Sequence, residues 1–146
     1  MTKIIIIDSQ QKNNDEILIS KVLNGKFSPE IKFLDFKDFK KSNFDDCETY
    51  ILYNSDNDMT EEIKESVCKK VDFGFNDNAS FRASDVNITN ESINFKLNFR
   101  GNSVPIWLVN YNHTNNADEI YSILSAICVG DIVGMNIVEI SENLKK

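Results

Sequence analysis

The segment Asn54-Ser55-Asp56-Asn57-Asp58 carries the densest set of groups able to do chemistry. Asn54, Asp56 and Asp58 alternate, so on an extended chain their side chains fall on one side. Two carboxylates and an amide offer the oxygen donors that hard cations accept, which makes a single divalent ion (calcium, magnesium or manganese) the cofactor to expect there, if any. The stretch lacks the glycine of an EF-hand loop. A second polar cluster, Asn110-Tyr111-Asn112-His113, ends an apolar run, and Glu139 sits in another such run near the end of the chain. The plainer reading is that these positions are polar because water bathes them. His113 is the only histidine, and its spacing to the serines and cysteines suggests no nucleophile–base pair; a surface loop residue is the simpler assignment.

The elements that must position these groups follow from hydrophobic period. Lys3-Ile4-Ile5-Ile6-Ile7-Asp8 is an unbroken β-branched run, suited to a strand buried on both faces of a parallel sheet. Ile17, Leu18, Val22 and Leu23 recur at helical spacing, with Gly25 placed to end that helix. Ile31 to Leu34 and Thr49 to Tyr53 predict further strands, with a turn or two of helix within 35–44. Thr60 caps a predicted helix that carries Glu61 and Glu62 first and Lys69 and Lys70 last, a polarity matched to the helix dipole. Residues 72–92 read as irregular. Ile93 to Phe99 alternates strictly, predicting a strand with one wet face near a sheet edge. Val104 to Val109 predicts a buried strand with Trp107 in the core. Asn116 opens the best helix, with Glu119 as in a capping box, Ile120, Ile123, Leu124 and Ile127 as its stripe, and Gly130 to close it. Asn136 to Ile140 reads as a last strand. Alternating strands and helices imply an open, mostly parallel sheet with helices on both faces, a three-layer α/β/α fold.

A chain of 146 residues fits one domain, 1–146. Its net charge of -7 and the lack of any basic run argue against a nucleic-acid partner. An acidic surface promotes solubility and suits a basic protein partner; a homo-oligomer is also open. The cysteines, Cys47, Cys68 and Cys128, are odd in number and share no metal-like spacing, which predicts reduced thiols in the cytoplasm. No apolar run approaches the length of a membrane span or a signal peptide, so no membrane association is expected.

The order of motifs resembles the ureohydrolases, the arginase and agmatinase superfamily. Trp107-Leu108-Val109-Asn110-Tyr111-Asn112 is similar to their strand ending Asp-x-Asp, and Val133-Gly134-Met135-Asn136-Ile137-Val138-Glu139-Ile140 to their closing strand. Asn54 to Asp58 looks like their Asp-Ala-His-x-Asp metal motif. Asn76 to Ala83 and Phe95 to Gly101 resemble two further segments in the right order. The resemblance implies a shortened, arginase-like scaffold. It implies a metal shell of Asp56 and Asp58 with degenerate companions Asn54, Asn110 and Asn112, and a ligand contact at Glu139. Ureohydrolase chemistry needs two manganese ions bridging a hydroxide. Amides are neutral, so this set cannot hold paired dications as aspartates do. The resulting expectation is a pseudoenzyme with no catalytic residue and no resident cofactor, acting by binding or regulating a macromolecular partner. Two rivals stand beside it: a metal-dependent hydrolase of guanidino or amidino compounds, and an unrelated small acidic interaction protein of the toxin-neutralising or defence-antagonising kind.

Overall fold

The computed structural model describes residues 2–39, 46–58, 60–109 and 117–146. The run of isoleucines forms β1 (Lys3–Ile7), followed by α1 (Lys12–Leu23) and β2 (Glu30–Leu34). After a 3-10 turn at Phe36–Asp38 come β3 (Tyr50–Asn54), a short α2 (Thr60–Lys64) and β4 (Lys69–Gly74). Three longer strands follow, β5 (Phe81–Ile88), β6 (Ser92–Phe99) and β7 (Asn102–Val109). Two helices, α3 (Ala117–Ile132) and α4 (Ile137–Leu144), complete the order.

Among the described residues the seven strands form one sheet in the order β2-β1-β3-β4-β5-β6-β7. The first four are mutually parallel, and β1 sends its neighbours to opposite sides, which makes the β1/β3 gap the topological switch point. β4 and β5 are parallel across only Phe73↔Phe81 and Gly74↔Arg82. β5 therefore starts where β4 ends and runs onward, so a short link suffices where a full parallel crossover needs a dozen residues or more. β5, β6 and β7 form an antiparallel meander. The sheet is thus mixed, an α/β fold of the three-layer kind.

Strand alternation divides the core. Ile4 and Ile6 of β1 face α1, α3 and α4, while Ile5 and Ile7 face the other side with Ile51, Tyr53 and Ile63 of α2. α3 is buried almost all round, with Ile120, Ile123, Leu124 and Ile127 inaccessible to solvent. Each Å2 of apolar surface it buries stabilises the fold by about 25 cal/mol.

Residues 136–140 are not a strand: Asn136 is the N-cap of α4, its side chain accepting the Glu139 N–H at 2.9 Å. Gly130 lies inside α3, and the helix ends instead before Gly134, whose φ of 95° suits glycine alone. α2 stops at Lys64, and the lysines placed at its end begin β4. Residues expected to be irregular include the end of β4 and all of β5. Trp107 is 56% exposed rather than core, because β7 turns Ile106 and Leu108 to the helices and Trp107 to the uncovered face. The expected start of α3 at Asn116 lies outside the described residues.

Candidate functional site

Loops at the carboxyl ends of β1, β3 and β4 meet the first turn of α3 in a narrow crevice beside the switch point. The centre of the arrangement is Asp56, in the turn after β3. Its Oδ2 accepts the Phe75 N–H at 2.8 Å and the Tyr121 hydroxyl at 2.7 Å. Its Oδ1 accepts the Asn76 N–H at 3.1 Å and the Asn76 side-chain amide at 2.7 Å. Asn54 holds the turn by accepting the Asp56 N–H at 2.9 Å. One carboxylate therefore ties together the loops after β3 and β4 and helix α3. Partial burial pushes the Asp56 carboxyl up, but the hydrogen bonds from Asn76, Phe75 and Tyr121 outweigh it and hold it below the usual carboxylate range. Burial, then the bond to Asp56, pushes the Tyr121 phenol up to about 12, against an opposing bond from Asn54. Tyr121 stays protonated and donates.

Gly74 explains how the carboxylate fits. A Cβ at that position would lie 2.6 Å from Asp56 Oδ1 and 2.8 Å from its Cγ. The strand end carries no side chain because Asp56 takes the space.

On the other side, the β1–α1 loop is built from acids and amides. Asp8 adopts φ 51°, a left-handed conformation that Asp tolerates better than most residues, and its Oδ1 accepts the Phe36 N–H at 2.5 Å. Asp15 is only 4% exposed, accepts the Ser9 hydroxyl at 2.5 Å, and is held above the usual carboxylate range by burial, which outweighs hydrogen bonds from Ser122 and Ser9. Gln11 reaches across, its Oε1 accepting from Ser122 at 3.4 Å and Asn14 at 3.3 Å. The Asn14 amide also donates to the buried Glu119 at 3.0 Å. What remains of the crevice is a cavity of about 30 Å3, space for roughly one water.

The residues singled out from sequence are thus dispersed in role. Asp56 and Asn54 are adjacent and bonded; Asp58 is exposed. Asn110, Asn112 and His113 lie outside the described residues. Glu139 lies in the first turn of α4, 3.8 Å from Lys26 Nζ. Among the described residues no three His, Cys, Asp or Glu side chains gather as metal ligands do. Sequence reasoning missed Tyr121, Asn76, Gln11 and Asp15. Asp15 alone had a signal: it falls on the apolar stripe of Leu18, Ile19 and Val22, where a carboxylate must be buried.

No protein-family model matches the chain. No curated protein matches it significantly. Among solved structures it is similar to MurF from Acinetobacter baumannii, with TM-score 0.72 and 11% identity over 100% of this chain and 45% of that one. It is likewise similar to the MurF ligase from Thermotoga maritima in complex with ADP, with TM-score 0.70 and 11% identity over 96% and 48%. A UDP-N-acetylmuramoyl-L-alanyl-D-glutamate–2,6-diaminopimelate ligase gives TM-score 0.74 at 8% identity over 97% and 45%. The chain spans less than half the length of these proteins. These likenesses overturn the arginase resemblance, and with it the ureohydrolase-like pseudoenzyme. The motif that carried it most, from Val133 to Ile140, spans the end of α3, its cap and the start of α4, where the ureohydrolase pattern needs a strand. The fold is that of a part of the Mur ligases.

Proposed function

We propose that this chain is a binding domain with no reaction of its own, folded as one unit on the Mur-ligase-like sheet, and that it takes a protein partner presenting basic side chains. The observation that carries this reading is the state of the crevice: the chain's own side chains fill it, and carboxylates surround it. Each of the four parallel strands is followed by an aspartate in the loop beyond its carboxyl end: Asp8, Asp35, Asp56 and Asp77. With a net charge of -7, that edge attracts cations and repels phosphates.

A second reading, nucleotide binding, is favoured by the ADP held by the Thermotoga maritima ligase and by Lys12 in the first turn of α1. Phosphate-binding loops at such a strand–helix turn read G-x-x-x-x-G-K-[ST], with glycines that let backbone N–H groups surround the phosphates. Here Ile6 to Asn13 reads Ile-Ile-Asp-Ser-Gln-Gln-Lys-Asn, and the lysine alone conforms. The glycine positions hold Ile6 and Gln11, and Asp8, Asp15 and Asp118 line the crevice. A cavity of about 30 Å3 is far below the roughly 300 Å3 that small-molecule pockets begin at. These residues do not fit a nucleoside diphosphate.

A cytoplasmic location accords with three free cysteines and with the absence, among the described residues, of a helix long and apolar enough to cross a membrane. The test is calorimetric titration with a lysine-rich peptide at low and high salt. Binding that weakens with salt and with the exposed Asp35→Lys and Asp77→Lys substitutions supports the reading. No binding at low salt, or binding indifferent to both substitutions, overturns it.

A further inference from the structure

The two edges of the sheet are not alike. β7 is interrupted by Pro105, which pairs in register with Lys96. A proline has no N–H to give to β6, so it stands where the backbone groups of β7 turn outward, and it breaks the free edge to incoming strands. β2, at the other end of the order, carries no proline within its span, although Pro29 directly precedes it. Its Glu30 N–H donates to the Thr2 carbonyl at 2.8 Å, and its Leu34 carbonyl accepts the Asp8 N–H at 2.9 Å. Backbone direction alternates along a strand, so Glu30, Lys32 and Leu34 bond inward to β1. Ile31 and Phe33 turn their N–H and C=O groups outward, where no described strand meets them.

The surface beside that edge sets apolar side chains among Lys12, Glu16, Ser20 and Lys32. Ile31 and Phe33 are half-buried and line a groove of about 540 Å3 against Ile19 and Leu23 of α1. Ile17, on α1 next to a further open groove, is 60% exposed.

We propose that this edge is a self-association surface, where a second copy of the chain adds its β2 antiparallel and makes one continuous sheet about a two-fold axis at Ile31. Charge chooses the occupant and the register. Antiparallel pairing requires outward residues to face outward residues, which leaves few alignments. Centred on Lys32, each lysine would face its own copy. Centred on Ile31, Glu30 of one copy faces Lys32 of the other, twice, as a close cross-strand pair of opposite sign. The sequence Glu30-Ile31-Lys32 is thus complementary to itself when reversed. The outward groups of both Ile31 residues then bond reciprocally, and Phe33 of each copy bonds the Pro29 carbonyl of the other. This inference is independent of the basic-partner reading, which concerns the carboxyl ends of the strands.

Sedimentation equilibrium over a wide concentration range tests it on the full chain. The expected result is a monomer–dimer equilibrium. Lys32→Glu, which sets two glutamate pairs face to face, weakens it at least about tenfold. The double variant Glu30→Lys with Lys32→Glu restores it, because the pairs again have opposite sign. Ile31→Pro yields a monomer, and circular dichroism establishes whether that variant is folded; the charge variants decide the matter if it is not. A strictly monomeric parent, or a dimer that Lys32→Glu leaves intact, overturns the proposal.

Discussion

Gly74→Ala places a methyl group 2.6 Å from Asp56 Oδ1, and the side chain that must move is the one holding three segments together. Its four accepted hydrogen bonds are charge-assisted, each worth about 1.5–3 kcal/mol when buried. Asp56 is exposed, so solvent screening reduces the set to about 2 kcal/mol in total. Gly74 does not have positive φ, and alanine in a strand is favoured over glycine by about 0.5–1 kcal/mol through backbone entropy. In the parent the two effects oppose and leave a net loss of about 1–1.5 kcal/mol. In an Asp56→Ala background the obstruction is gone, and the same substitution stabilises by about 0.5 kcal/mol. The sign of the effect therefore depends on the second site, with a coupling near 2 kcal/mol. Urea unfolding of the four proteins, read at unchanged m-value, gives the cycle directly. Additive substitutions would refute the claim that Asp56 occupies the space Gly74 leaves.

Gly130→Ala presses a methyl to 2.8 Å from Ile140 Cδ1 and 2.9 Å from Val22 Cγ1; it costs about 1–3 kcal/mol by overpacking, although alanine is the better helix former, and a lowered denaturation midpoint reports it. Asn136→Ala removes the cap of α4 and costs about 1 kcal/mol in the same assay. Asp15 has a raised carboxyl, so its folded form prefers the proton: that stability is fully present below the unfolded value of 3.8 and is lost as pH rises through the folded value. Asp15→Asn accordingly raises the melting temperature at neutral pH and flattens the pH profile above 3.8, and a thermal melt series across pH checks it.

Where one physical signal dominated, the sequence was a sound guide. The isoleucines of β1 could only be a strand buried on both faces, and the stripe of α3 could only be a packed helix. Local signals failed where two of them competed. Ile137, Val138 and Ile140 looked like a strand, yet Ile137, Ile140 and Leu144 also fit a helical face, and Asn136 with Glu139 supplied its start. β4 and β5 were hidden because their polar residues alternate with few large apolar ones, and their pairing depends on neighbours distant in the chain. Asp56 was legible as a focus of chemistry, but its role was not. The groups that claim its oxygens, Asn76 and Tyr121, lie 20 and 65 residues away. No spacing rule links them. Asn54, taken as a lost metal ligand, instead holds a turn, and Asn136, read as the start of a strand, caps a helix.

The proposed binding role rests on a crevice narrowed by the chain's own side chains to about 30 Å3. Isothermal titration of the purified chain with ADP and magnesium tests that most directly. The predicted trace shows heats of dilution only, with no change in melting temperature at saturating nucleotide. Saturable one-to-one binding, abolished by Lys12→Ala, would contradict it and return the chain to the nucleotide-binding class.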